Sequence, residues 1–445
     1  MKFKRAKSLA VLAAGVIALS ACAGGGTSES NTSTGSTSAG DNPALTIWHM
    51  ENTPQRIAAW GAIADEYNAT NPEYPVEFQV QEWDSIYPGI AAAAQSGTQP
   101  DVLFVIPDFA TYVRNLGLGY PATETVDALD AAHGLYPASR AAYTDEGEVW
   151  AVPLYGMVQV LWYNAQMLQA AGVDAPATWS ELLSAAEALT TDDVKGIAVP
   201  AGRNLASDQV AFSFMLTGAA GNWFTADGQP NFNTPEVIDA IDFYNQLLQF
   251  SPADSANYAW GEPQAALNNG SVAMAIEKGQ YLPPWVAESG LAPSDLGCAP
   301  IPVKDVGGQP GSIYYSNAAM VLSDDEGRRA GSAEFFTWLM EPENYSKFLH
   351  AEPGLFLPVT GNDAHVEQWR TNEVIGTYPE CVDLMLELSS VGGLFGFVDG
   401  QYISRIGDIS GQNILAQTIQ RVYVQGETPE SAVAWAQQEM EKALQ

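Results

Sequence analysis

Between residues 44 and 106 the chain alternates strand-patterned and helix-patterned runs, and this alternation restricts the fold more than any other feature of the sequence. Ala44-Leu45-Thr46-Ile47-Trp48-His49 is short and β-rich. From about Thr53 to Asn71, Ile57, Trp60, Ile63, Ala64 and Tyr67 recur at helical spacing. Val76-Glu77-Phe78-Gln79-Val80 alternates like a strand, and Ile86, Ile90 and Ala94 mark a second helix. Val102-Leu103-Phe104-Val105-Ile106 is a continuous apolar run of the buried-strand kind. Strand, helix, strand, helix, strand predicts a parallel sheet with helices on both faces. Ligands of such sheets sit outside the carboxyl ends of the strands, so the residues just after each run become candidates for binding.

Strand signals return at Val149–Pro153 and Val158–Tyr163, and helices then dominate to about residue 290. Their starts are well marked. Thr178-Trp179-Ser180-Glu181 is a capping box, in which the Thr178 hydroxyl and the Glu181 carboxylate each accept from the other's backbone N–H. Thr234-Pro235-Glu236 and Thr428-Pro429-Glu430 place a hydroxyl at the cap and proline in the first turn. Val237, Ile241, Tyr244 and Leu248 then form a buried stripe. Helix content rises again at 330–349 and at the C-terminus.

The N-terminus carries a different message. Lys2, Lys4, Arg5 and Lys7 precede the apolar run Leu9–Leu19, which is too short for a permanent span and reads as a secretory signal, residues 1–21. Leu19-Ser20-Ala21-Cys22 resembles a lipobox, which makes Cys22 the expected lipidation site. Residues 22–42, almost wholly Gly, Ser, Thr, Ala and Asn, cannot bury a core and are expected to form a flexible tether. Roughly 400 residues follow, enough for two domains. The formal net charge is −34, and removing the four basic residues of the signal lowers it to −38. A surface of that sign repels phosphate backbones and anionic lipids, so nucleic acid is excluded as a partner and a covalent anchor is needed at the membrane.

Cys298 and Cys381 remain as an even pair in a disulfide-permitting compartment, and a bridge and two free buried thiols are both open. No CxxC or Cys/His cluster suggests a metal, and no cofactor motif is present. The search for catalytic motifs is negative, with no GxSxG, SxxK, HExxH, Walker or GxGxxG pattern. His49, His133, His350 and His365 are scattered and read as packed or surface residues. Tyr314-Tyr315 reads as packing, and Asp192-Asp193 and Asp324-Asp325-Glu326 as helix-start or loop carboxylates.

What stands out is the supply of aromatics, 12 Trp, 18 Tyr and 16 Phe, many set beside polar residues and glycine. Trp48 with Glu51-Asn52 follows the first strand, and Asp108-Phe109 the third. Tyr155 and Gln159 lie near the middle strands, and Trp223-Phe224 follows a Gly-rich turn. Lys278, Gly279, Gln280, Tyr281 and Trp285 form another group, and Phe395, Gly396, Phe397 and Asp399 the last. Sugar rings offer an apolar C–H face for stacking and hydroxyls that need donors and acceptors. Packing in the core accounts for half or more of such aromatics.

Ala151-Val152-Pro153-Leu154, Leu161-Trp162-Tyr163-Asn164, Ala171-Gly172-Val173, Pro176 and Thr178-Trp179-Ser180-Glu181-Leu182 match a pattern of one family, with Trp162 in place of a tyrosine. Pro100-Asp101-Val102, the run from Ala265 to Met274, and Phe335-Phe336-Thr337-Trp338-Leu339 add to it. Through these residues the chain resembles the extracellular solute-binding proteins of carbohydrate-uptake ATP-binding-cassette transporters, the family that includes the maltose-binding proteins. The resemblance implies an α/β, two-lobed periplasmic-binding-protein fold, each lobe a mainly parallel sheet flanked by helices, hinged by crossover strands. It implies lobe 1 from 43–155 and 316–360 and lobe 2 from 160–310 and 365–445, closing on a ligand that touches both. It further implies a monomeric, non-enzymatic receptor without cofactor or metal, lipid-anchored outside the cell membrane, which delivers a neutral oligosaccharide to a permease. The family's site carries over to Glu51, Asn52, Asp108, Phe109, Tyr155 and Met157, to Tyr281 with Trp285 four residues on, and to Phe395 or Phe397. Receptors for peptide, polyamine or metal, and a lipid-anchored carbohydrate-active enzyme, are the alternative classes.

Overall fold

The computed structural model describes residues 43–218, 223–389, 392–398 and 401–445. The expected signal, the tether, Cys22 and Asp399 lie outside the described residues. Twelve strands occur among these residues: β1 (Leu45–His49), β2 (Val76–Val80), β3 (Val102–Val105), β4 (Thr144–Asp145), β5 (Glu148–Val149), β6 (Val152–Val158), β7 (Val160–Asn164), β8 (Met274–Glu277), β9 (Leu296–Ala299), β10 (Tyr314–Val321), β11 (Phe397–Val398) and β12 (Gln401–Tyr402).

The first lobe is built on a sheet of order β2-β1-β3-β10-β6. β1 pairs in parallel with β2 and β3, as the alternation predicts, and β10 runs antiparallel to both β3 and β6. β3 is buried along its whole length, which explains its unbroken apolar run. The helix Pro54–Asn68 is capped by the Thr53 hydroxyl, which accepts from the Arg56 N–H, and it buries Trp60, Ile63, Ala64 and Tyr67. Trp60 stacks on Phe348, centroids 4.8 Å apart, so the first helix is tied to the later segment that completes this lobe.

The second lobe has a sheet of order β8-β7-β9, with both pairings antiparallel. This corrects the expectation of a mainly parallel sheet in each lobe. β7 is entered directly from β6 and runs away from the first lobe, whereas β8 and β9 run back towards it. Isolated parallel bridges such as Lys195↔Val272 and Ala198↔Ala275 extend this sheet. The capping box at Thr178 and the hydroxyl caps at Thr234 and Thr428 form as expected.

The chain passes from one sheet to the other at Gln159: Val158 still pairs with Tyr314, and Val160 already pairs with Glu277. The Ser312 hydroxyl locks this crossing, accepting from the Gln159 N–H (3.0 Å) and donating to the Gln159 carbonyl (2.6 Å). Cys298 of β9 and Cys381 of the helix Pro379–Ser389 form a disulfide across 83 residues, with Cα atoms 5.8 Å apart. In the stretch 365–445, the helices Ile414–Tyr423 and Pro429–Ala443 pack on the second-lobe helices Leu205–Thr217 and Pro235–Leu248. The helices Asp363–Trp369 and Ile406–Ser410 instead pack on first-lobe helices, Pro342–Leu349 and Pro107–Asn115.

Candidate functional site

The two lobes face each other across a cavity of about 400 Å³, within the roughly 300–1,000 Å³ of small-molecule sites. Its first-lobe wall comes from the loops after β1 and β2, where the strand-end rule places ligands. In the first loop, the backbone N–H of Glu51 donates to His49 Nδ1 at 3.2 Å. Burial lowers the His49 pKa to about 4, so the ring stays neutral and keeps that acceptor. Glu51 accepts from Arg56 Nη1 at 2.7 Å and from the Tyr155 hydroxyl at 3.2 Å, and Arg56 Nε donates to Glu352 at 3.0 Å. Burial pulls the Arg56 pKa down, but Glu51 and Glu352 outweigh it and the net shift is upward. Asn52 Nδ2 donates to Glu82 at 2.7 Å, which joins the first loop to the second, where Trp83 and Asp84 also line the cavity.

The second-lobe wall comes from the helix Leu205–Thr217, from Ala259–Gly261 with Gln264, and from the turn after β8. Lys278 is 5% exposed, and its ammonium lies 3.2 Å from Glu277 Oε1 and 3.9 Å from the centre of the Trp260 ring. Burial lowers the Lys278 pKa against the opposing pull of Glu277. Both cations of the cavity are therefore already neutralised by carboxylates of the protein. Gln264 Nε2 donates to the Gln280 carbonyl at 3.0 Å, and β10 contributes Tyr315 and Asn317 to the floor.

Three buried polar atoms on this lining have no partner: Gln209 Oε1, Gln280 Oε1 and Asn317 Nδ2. They come from a helix, a turn and a strand, and they combine two acceptors with one donor. Leaving such atoms buried and unpaired costs about 1–3 kcal/mol each, which a solute with both hydroxyl hydrogens and oxygens would recover. Trp83, Trp260 and Tyr315 add aromatic faces.

Of the residues singled out in the sequence, Glu51, Asn52, Met157 and Lys278 line the cavity. Tyr155 stands behind it and holds Glu51. Trp48 lies outside it, with Nε1 donating to Gln79 at 3.1 Å. Gln159 sits in the crossover, where its Oε1 accepts from the Ser213 hydroxyl at 2.6 Å. Phe109 is fully buried against Tyr87. Gly279 packs its backbone against the first lobe, where a Cβ would come within 2.0 Å of the Gly354 carbonyl oxygen.

Tyr281 and Trp285 are 0% exposed, which corrects the expectation of a stacking face on either. Tyr281 is stacked on Trp162 at 5.5 Å, and Trp285 Nε1 donates to the Ala292 carbonyl at 2.9 Å. The turn after β8 drops both rings beneath the cavity and leaves Gln280 facing it. Trp223 packs edge-on to Phe212, Phe397 edge-on to Tyr402, and neither lines the cavity. Asp108 and Phe395 line a smaller void of about 20 Å³, together with Asp208 and Ser410, which shares Leu205, Gln209 and Tyr315 with the cavity.

The sequence reading passed over Trp83, Trp260, Gln209, Asn317 and Arg56, and it read Tyr315, which lines the cavity, as packing. Trp83 was within reach, because it follows a parallel strand just as Glu51 does. Trp260 and Gln209 carry no local signal; only the folding of distant segments brings them to the cavity.

Residues 51–346 match the bacterial extracellular solute-binding protein family. A putative ABC transporter periplasmic-binding protein of Escherichia coli (strain K12) is 24% identical over 391 residues, covering 86% of this chain and 88% of that protein. The solute-binding protein of Agrobacterium radiobacter K84, solved with ribitol, superposes with a TM-score of 0.76 at 21% identity, covering 90% of this chain and 99% of that one. A sugar transporter from Arthrobacter chlorophenolicus A6, solved with laminaribiose, gives a TM-score of 0.76 at 19% identity, covering 90% and 100%. These relatives are transport receptors rather than enzymes. With two α/β lobes, a crossover at Gln159 and a family match over most of its length, the chain belongs to the bacterial extracellular solute-binding proteins and is a substrate-binding protein of an ABC transporter.

Proposed function

We propose that the cleft captures a neutral, polyhydroxylated solute, an oligosaccharide, and that the loaded form is read by a membrane permease. The observation that carries this reading is the set of unpartnered amide atoms at Gln209, Gln280 and Asn317, in a cavity whose cations Arg56 and Lys278 are already paired. An anionic solute would find no free cation among the described lining residues, and an apolar solute would leave the amides unpaired. The sugar- and polyol-bound relatives agree with this class. In the same reading Cys22 carries lipid after removal of residues 1–21, residues 22–42 tether a monomer outside the cell membrane, and the lobes divide as 43–155 with 316–360 against 160–310 with 365–445, except that the helices Asp363–Trp369 and Ile406–Ser410 pack on the first lobe.

Titration calorimetry against a panel of neutral oligosaccharides and polyols, with the solute recovered and its mass checked, tests the proposal. One-to-one binding with the solute unchanged is the expected outcome. Binding confined to peptides, polyamines or metal ions in a second panel, or cleavage of the sugar, would overturn it.

A further inference from the structure

The cleft has two unlike ends. At one, the lining is exposed: Asn52, Glu82 and Asp84 from the first lobe and Gly261 from the second, together with half-buried Trp83 and Trp260. At the other, Leu205, Gln209 and Tyr315 back onto the smaller void of about 20 Å³. A space of that size holds about one water molecule and no sugar ring. Its far side is made by Ile409 and Ser410 of the helix Ile406–Ser410, with Ile414 and Leu415 of the next helix. Ile409, Ile414 and Leu415 are all buried, so no way out to solvent leads past them.

This wall is carried by a strap that belongs to both lobes. The chain leaves the second lobe at Ile403, which packs over Gly228, and returns to it in the helix Ile414–Tyr423. In between, Asn115 Nδ2 donates to the Ser404 carbonyl at 3.0 Å, and the Thr111 hydroxyl accepts from the Gly407 N–H at 3.0 Å. These bonds dock the strap on the first-lobe helix Pro107–Asn115. Arg405 holds the second lobe, its Nη1 and Nη2 donating to the carbonyls of Leu444 and Ala443 at 2.6 and 2.8 Å. Gly407 makes the docking possible, because a Cβ there would collide with the Asp108 carbonyl and with Tyr112. Where the two walls of a cleft are bridged in this way, the cleft cannot run on.

We infer that the cleft is blind at the strap and open at the other end, so that it takes a short oligosaccharide or one end of a longer chain and rejects a chain's interior. This rests on the sugar reading above. A sugar unit set against Gln209 and Tyr315 has no room for a substituent on the strap side. Its other terminus can extend past Trp83 and Trp260 into solvent. The strap does not line the cleft, and it sets specificity by excluding bulk rather than by offering contacts.

Calorimetry with maltose, cellobiose and laminaribiose tests this, each sugar in three forms. The first is unmodified, the second is the p-nitrophenyl glycoside, with bulk on the reducing end, and the third is the 4,6-O-benzylidene derivative, with bulk on the non-reducing end. For a disaccharide that binds unmodified, one blocked form should keep its affinity and the other should lose binding. Retention by both would reveal a groove open at each end and overturn the inference while the sugar reading stands. Loss of both would reveal a cavity closed at each end and overturn it as well. No heat from any unmodified disaccharide would count against the sugar reading itself, and the inference would fall with it. Two strap variants identify the wall: G407A, which undocks the helix, and the double variant I409A with S410G, which hollows it. Each variant that melts cooperatively should regain binding of the form that the wild type excludes. Continued exclusion by a folded variant of either kind would show that the strap is not the wall.

Discussion

The Lys278 ammonium lies 3.9 Å above the centre of the Trp260 ring, and the same ammonium is paired with Glu277 at 3.2 Å. One cation therefore fixes an aromatic wall of the cleft and pairs with one oxygen of a carboxylate that is wholly buried. Removing Trp260 takes away the wall without touching either lobe's core. In W260A the affinity for the solute identified by calorimetry should fall by about 1–3 kcal/mol, the loss usual for an aromatic contact at the centre of a site. An unchanged dissociation constant would take Trp260 out of the site.

Trp285 carries the opposite expectation. Its ring is fully buried and its N–H is held by the Ala292 carbonyl. Truncation to Ala should cost about 3–5 kcal/mol of stability, measured by denaturant unfolding, while the fraction that remains folded binds solute with unchanged affinity.

The backbone contact between Gly279 and Gly354 leaves no room for a side chain, since a Cβ on Gly279 would sit 2.0 Å from the Gly354 carbonyl oxygen. That neighbour is backbone and cannot rotate away. G279A is expected to lose about 1–3 kcal/mol, as overpacked sites do, with a fall in melting temperature as the readout.

The disulfide between Cys298 and Cys381 ties the edge strand β9 to a helix far along the chain. Replacing both cysteines by serine should lower stability by about 2–4 kcal/mol. Solute affinity should hold, because neither cysteine lines the cavity.

His49 gives the protein an acid-sensitive limb. Burial lowers its pKa from 6.5 to about 4. Between those values the unfolded chain binds a proton that the native ring refuses, so the His49 contribution is intact above pH 6.5 and is lost as pH falls through about 4. The full effect is about 3 kcal/mol. Denaturation curves of H49Q from pH 7 to pH 4 should show a shallower acid loss than the wild type.

Local patterns decided a good deal of this protein. The β-α-β-α-β start, the hydroxyl caps at Thr178, Thr234 and Thr428, and the strand-end position of Glu51 and Asn52 all follow from residues close together in the chain. Hydrogen bonding and side-chain periodicity at that range depend only on near neighbours, so the sequence carries them openly. The strand sense of the second lobe, the pairing of Cys298 with Cys381, and the burial of Tyr281 and Trp285 beneath the cleft were decided by tertiary structure. So was the meeting of Trp83, Gln209, Trp260 and Asn317 around one cavity. Each depends on which way a turn faces or where a remote segment docks, and those choices are set by packing across the whole core rather than by any run of residues.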